Sequence, residues 1–178
     1  MLPKILLGSG MAYRGPEDEK WLEYLSHIGD YAQSLDHRFL SEICYEHGSR
    51  FNEYFPCFNL NSHKIQTRLV TASEIQEFVR YDNNEPVTFW ETQFDNCRAN
   101  LQPFEFEIFE HIIKNGTWPF PPVIIDNSNG FANSLSKHAL GSPWHLIEGT
   151  HRVSYLNRML ELELVSPSSE HEIFWLCG

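Results

Sequence analysis

Apolar side chains recur along this chain at spacings that change several times, and each spacing predicts an element. Residues 17–28 put Trp21, Leu22, Leu25 and Ile28 on one helical stripe behind Pro16, with Glu17, Asp18 and Glu19 at the end where acids favour a helix start. A second helix is expected from about Ser34, with Leu35, Phe39, Leu40, Ile43 and Cys44 inward and Gly48 as its stop. Residues 51–60 crowd Phe51, Tyr54, Phe55, Phe58 and Leu60 around Pro56 without a period that selects an element. Ile65, Thr67 and Leu69 alternate as a short strand. Thr71-x-x-Glu74 matches a capping box ahead of Ile75, Phe78 and Val79, so a third helix is expected there. Asp82–Pro86 reads as a turn and Val87–Trp90 as a strand.

From Pro103 the pattern is cleaner. Pro103 suits a first helical turn, Phe104, Ile108 and Ile112 recur every four residues, and Gly116 closes the helix. The short apolar runs Val123–Asp126, His145–Glu148 and Glu172–Leu176 read as strands. Between the last two, Val153, Leu156, Leu160 and Leu164 mark a helix over 150–164. The fold class this order predicts is α+β or α/β: a small mixed sheet of 122–126, 145–148 and 172–176, with 104–115 and 150–164 packed on it. Residues 1–102 form a mainly helical, acidic extension docked on a core of 103–178. No internal repeat and no linker rich in Gly, Ser or Pro forces a further division.

Composition narrows the function classes. The 178 residues hold 42% hydrophobic and 21% charged side chains, within the globular range. No apolar run is long enough for a membrane span, and Met1–Leu7 breaks at Gly8 too early for a secretory core, so the expected compartment is the cytoplasm. Net charge is −11, and the excess lies early: 9 bases and 18 acids through Glu110, then 4 bases and 6 acids. No Lys/Arg cluster is present to displace phosphate counterions, which argues against DNA as a partner. Four cysteines at 44, 57, 97 and 177 show no C-x-x-C and read as reduced thiols, and nine scattered histidines give no metal-ligand spacing.

One stretch carries candidate chemistry. A strand ends at Glu148, Gly149 lets the backbone turn sharply, and the next helix opens with free N–H groups where anions bind. Thr150 brings a hydroxyl, His151 a ring nitrogen and Arg152 a planar cation suited to phosphate or carboxylate. The same residues also admit a purely structural reading. Glu148 and Arg152 can pair internally, Thr150 can cap, and His151 can fill a surface position.

The stretch Phe104–Leu176, 73 of the 178 residues, resembles the ParB/sulfiredoxin superfamily. Phe106–Gly116 followed by Pro122–Ile125 is similar to that family's helix, glycine and first core strand, and His145–Leu156 to its phosphate-binding strand, turn and helix. The resemblance implies that Gly149, Thr150, His151 and Arg152 grip nucleotide phosphates, with a nucleoside triphosphate and Mg2+ as the cofactor. Sulfiredoxins carry a cysteine nucleophile where Thr150 stands, which argues against sulphinic-acid repair. Partition proteins usually carry arginine in place of His151 and a DNA-reading domain after the core, whereas here 26 residues follow Arg152.

Three functional classes follow. The first is a nucleotide-binding domain, as a phosphoryl-transfer or NTP-hydrolysing enzyme, with Glu148 or His151 moving the proton and Asp126, His145 and Arg152 lining a groove above Gly149. The second is an acidic immunity- or antitoxin-type protein on the same fold that neutralises a basic toxin, its groove plugged by Trp118, Trp144 or Trp175. The third, a nuclease, has no metal-binding carboxylate cluster to support it.

Overall fold

The computed structural model describes residues 1–8, 10, 14–81, 85–100 and 106–177. The chain is an α+β protein with a helical N-terminal part, and it forms two compact units. The first comprises Met1–Lys64 and Asn133–Ala139, the second Ile65–Ala132 and Leu140–Cys177. The division therefore falls at 64–65 and not at 102–103.

In the first unit, α1 (Glu19–Ile28) starts at Asp18, whose carboxylate accepts the N–H groups of Lys20 and Trp21. Its buried stripe is Trp21, Tyr24 and Ile28, while Leu22 is 49% exposed. The tyrosine wins the inward position because its ring stacks on Trp21 and its hydroxyl donates to the Leu6 carbonyl at 2.8 Å. The expected second helix is broken into α2 (Tyr31–Ser34), α3 (His37–Phe39) and a π-helical segment, Leu40–Glu46. Wider π-turns turn Leu40, Ser41, Ile43, Cys44 and Tyr45 inward together, which a regular α-helical stripe would not. Gly48 does not end a helix but opens α4 (Gly48–Tyr54), where a Cβ would stand 2.9 Å from Leu7. The rings of Phe51, Phe55 and Phe58 then close this core, and the 133–139 loop is tied to it by Cys57 N–H on the Leu135 carbonyl.

The second unit holds a five-stranded mixed sheet. Its strands are β1 (Lys64–Thr71), β2 (Val79–Arg80), β3 (Val123–Asp126), β4 (Trp144–Glu148) and β5 (Glu170–Cys177), in the order β1-β5-β3-β4-β2. β3 runs antiparallel to β4, with Ile124 opposite Leu146, and parallel to β5, with Ile124 opposite Trp175. The three strands expected from sequence are thus the middle of the sheet, joined by two more at its ends. The capping box forms as expected: Thr71 Oγ1 accepts the Glu74 N–H, and the Glu74 carboxylate accepts the Thr71 N–H, at the head of α5 (Ala72–Phe78).

Val87–Trp90 is not a strand. It belongs to α6 (Glu85–Arg98), which buries Phe94 and Cys97 and half-buries Trp90 in the unit's core. Burial of that helical stripe overrides the strand preference of Val, Thr, Phe and Trp. The helix expected from Pro103 is seen as α7 (Phe106–Asn115), and Pro103 and Phe104 lie outside the described residues. Last comes α8 (Thr150–Glu161), three residues shorter than expected, with five consecutive residues, Arg152–Leu156, all buried. It packs against α5, α6 and α7, which is why residues 65–98 join the sheet unit and not an N-terminal extension. Among the described residues, no helix is long and apolar enough to cross a membrane.

Candidate functional site

The turn between β4 and α8 has the backbone its sequence predicts. Gly149 sits at φ +102°, a left-handed conformation that disfavours other residues, and its carbonyl accepts the Val153 N–H to start the helix. What surrounds the turn is different from an open phosphate cradle. Gly149 is buried, and a Cβ there would lie 2.7 Å from Pro122 Cβ and 3.1 Å from Arg152 Nε. The glycine is needed so that the Pro121-Pro122 segment can press onto the helix start.

Glu148 and Arg152 direct their charged groups at the chain itself. Glu148 Oε1 accepts the Gly149 N–H at 2.9 Å, and the same oxygen lies 3.8 Å from the Arg152 guanidinium. A carboxylate of the chain thus stands at the turn's own N–H. Arg152 is only 2% exposed, and its guanidinium donates to the Phe120 carbonyl at 3.1 Å. The 3.8 Å separation is beyond hydrogen-bond range, so the Phe120 carbonyl is the stronger of the two contacts. His151 packs its ring 5.1 Å from Trp90 and 6.3 Å from Tyr155. Burial, aided by the neighbouring Arg152 charge, pushes its pKa down to about 3, so the imidazole is neutral near pH 7 and a weak base. Thr150 is half-buried, and its carbonyl accepts the Ser154 hydroxyl at 2.6 Å.

Asp126 and His145 are not brought to this turn. Asp126 pairs with Trp144 at the start of β4, whereas Glu148 is the strand's last residue and Gly149 follows it. At about 3.4 Å per residue, His145 and Asp126 stand roughly 10–14 Å away along the strand. Antiparallel pairing of β3 with β4 sets that distance. Asp126 Oδ1 accepts the backbone N–H and hydroxyl of Ser128, shaping the turn after β3. His145 is buried, and its Nδ1 accepts the Gly141 N–H at 3.1 Å, pinning the loop before β4.

The three tryptophans considered as plugs belong to the core. Trp144 and Trp175 meet edge to face at 5.0 Å, and Trp118 donates its indole N–H to the Glu172 carbonyl. The side chains that do close the turn are Pro122 over Gly149 and Trp90 over His151. Pro122 stands directly ahead of β3 and Trp90 in a segment expected as a strand, so local spacing marks neither as a partner of the turn.

A second buried imidazole lies beside the start of β5. His171 bonds through Nε2 to Ser169 Oγ at 2.8 Å and through Nδ1 to Thr117 Oγ1 at 3.1 Å, with Trp118 packed on its ring. Burial pushes its pKa down to about 4. The backbone N–H of Ser169 is already bonded to the Ser166 carbonyl, so it offers no oxyanion donor and the cluster reads as a structural tie. Among the described residues, no group of three or more His, Cys, Asp or Glu side chains is placed to hold a metal.

Charge regroups once the units are defined. The sheet unit carries 6 bases and 15 acids, net −9, against 7 bases and 9 acids in the first unit. Nine of those acids, with only two bases, fall between Glu74 and Glu110, on α5, α6, α7 and their connections. Glu77, Glu107 and Glu110 are exposed. On the neighbouring helices Arg158 is held by Asp95 at 2.8 Å and Glu161 at 2.6 Å, so this cluster still carries surplus negative charge. Glu91 feels it: burial and the nearby Glu161 and Asp95 raise its pKa above the ordinary carboxylate value.

Comparison of the chain with protein-family models, with curated proteins and with solved structures finds no match.

Proposed function

We propose that this chain is an acidic binding protein of the immunity or antitoxin kind, whose sheet unit engages a basic protein partner. The observation that carries the reading is the closed state of the β4–α8 turn. The Gly149 N–H is already donated to the Glu148 carboxylate, and the turn's buried cation, Arg152, donates to the Phe120 carbonyl. A nucleoside triphosphate with Mg2+ does not fit these residues as they stand. Its phosphates would meet the Glu148 carboxylate first, and Arg152 would have to leave a buried bond to reach them. The resemblance of His145–Leu156 to a phosphate-binding segment is then a resemblance of the turn's backbone. The class of partner follows from the net −9 of the sheet unit and its exposed glutamates, which favour a basic surface and speed its approach.

Two measurements test this together. Thermal melting of the full chain with ATP, GTP and their Mg2+ forms is expected to show no shift. Affinity capture from the native cell extract is expected to retain a strongly basic protein. Retention should fall as salt rises, and the triple variant Glu77→Lys, Glu107→Lys, Glu110→Lys should lose it while melting like wild type. Stabilisation by a nucleotide that Arg152→Ala abolishes would overturn the reading. So would a partner whose retention ignores both salt and the triple variant.

A further inference from the structure

We infer that β1 is a self-association edge, through which two copies of this chain join their sheets antiparallel about a two-fold axis. β1 stands at one end of the strand order, so among the described residues no strand lies on its outer side. Gln66, Thr67, Arg68 and Leu69 are all exposed, and Leu69 is 60% exposed. Proteins commonly guard such an edge with a proline, a bulge or several charged side chains. Ile65–Val70 contains no proline, and its one charged residue, Arg68, is exposed with its guanidinium laid over aromatic rings. Arg68 lies over the rings of Trp144 and Trp175, at 5.2 and 4.8 Å from their centroids.

The faces follow from that contact. Arg68 lies on the side of Trp144, Trp175 and the buried Val70, so Gln66, Arg68 and Val70 share the core side. Ile65, Thr67 and Leu69 therefore share the other. A two-fold axis perpendicular to the sheet requires each residue to face one of its own side. Centred on Arg68, the pairing would set two guanidinium groups opposite each other, which is unfavourable. Centred on Thr67, it sets Thr67 against Thr67, each Ile65 against the other copy's Leu69, and each Arg68 against Gln66. That register matches apolar with apolar and opposes no like charges. Charge selects this edge over the rest of the unit as well. Ile65–Val70 holds no acid within a unit of net −9, so two copies repel least here.

Sedimentation velocity of the full chain, from low micromolar to millimolar concentration, is expected to show a reversible monomer–dimer equilibrium. Leu69→Glu alters an exposed side chain, so it should melt like wild type yet weaken the dimer by about tenfold or more. Thr67→Arg, which sets two cations face to face on the axis, should do the same. The decisive variant is the pair Ile65→Lys with Leu69→Glu. In the Thr67-centred register each new cation faces a new anion, so the double change should restore dimerisation that Leu69→Glu alone removes. A chain that stays monomeric throughout overturns the inference. So does a dimer indifferent to Leu69→Glu and Thr67→Arg, or one that the double variant fails to restore.

Discussion

Replacing Arg152 separates a ligand-reaching arginine from one that holds the fold. Its guanidinium is 2% exposed and bonded to the Phe120 carbonyl at 3.1 Å, so Arg152→Ala removes one charged hydrogen bond, about 1.5–3 kcal/mol. The ion pair with Glu148, at 3.8 Å and with a partner 23% exposed, adds less than about 1 kcal/mol. Loss of the buried aliphatic stem contributes about 0.8 kcal/mol per methylene. Together these give about 3–5 kcal/mol, or roughly 6–20 °C in melting temperature for a chain of this size. Arg152→Met keeps the stem and should lose only about 2–3 kcal/mol, while Glu148→Gln should lose less than about 1 kcal/mol. Urea unfolding followed by tryptophan fluorescence, run on all three variants, measures this ordering. If Arg152→Ala unfolds at the wild-type midpoint, the inward reading of the turn is wrong. If Glu148→Gln proves the more damaging change, the ion pair and not the Phe120 carbonyl holds the guanidinium.

Gly149→Ala combines a left-handed backbone with a Cβ 2.7 Å from Pro122, so it should destabilise by about 2–4 kcal/mol in the same unfolding experiment. His151 and His171 both titrate below the ordinary imidazole value of about 6.5, near 3 and 4 respectively, so the unfolded chain takes up their protons first. Stability should therefore be full above about pH 6.5 and fall on acidification, by about 3 kcal/mol per histidine at pH 4; His171→Gln should halve that slope. Asp95→Asn breaks a partly exposed network on Arg158 and should cost under about 1 kcal/mol, vanishing at high salt. Thr71→Ala removes a formed capping box and should cost about 1 kcal/mol.

The middle of the sheet was legible because its strands are short apolar runs with sharp punctuation. Val123–Asp126 follows two prolines, and Trp144–Glu148 ends at Gly149. The capping box at Thr71 was legible for a similar reason: both of its partners lie within one turn. Elements decided by distant packing were not. Val87–Trp90 has strand-forming residues, yet its neighbours Phe94 and Cys97 find a core only if the segment is helical. The π-helical segment at Leu40–Glu46 likewise exists because five of its residues are buried at once, a demand no local spacing announces. At the site, the turn at Gly149 could be read, but its surroundings could not. Pro122 lies 27 residues earlier in the chain, and the direction taken by a long arginine side chain is a tertiary outcome. The separation of Asp126 and His145 from the turn, roughly 10–14 Å at the rise of a strand, is equally hidden, because it depends on strand register.

The closed turn and the acidic surface follow from one electrostatic requirement. A helix that begins inside a packed unit leaves N–H groups needing acceptors, and a buried donor left bare costs as much as a lost hydrogen bond. An outside anion can meet that need, or the chain can supply one of its own. Here the unit carries net −9, which works against an approaching polyphosphate. Glu148 meets part of the need from within, at one residue's distance, and Arg152 supplies a cation close by without facing water. Once that is so, the helix start can be sealed, and Pro122 seals it against a glycine that tolerates the contact. The acids left on α5, α6 and α7 then have no part in the turn and remain on the surface, where a basic partner is what they can attract.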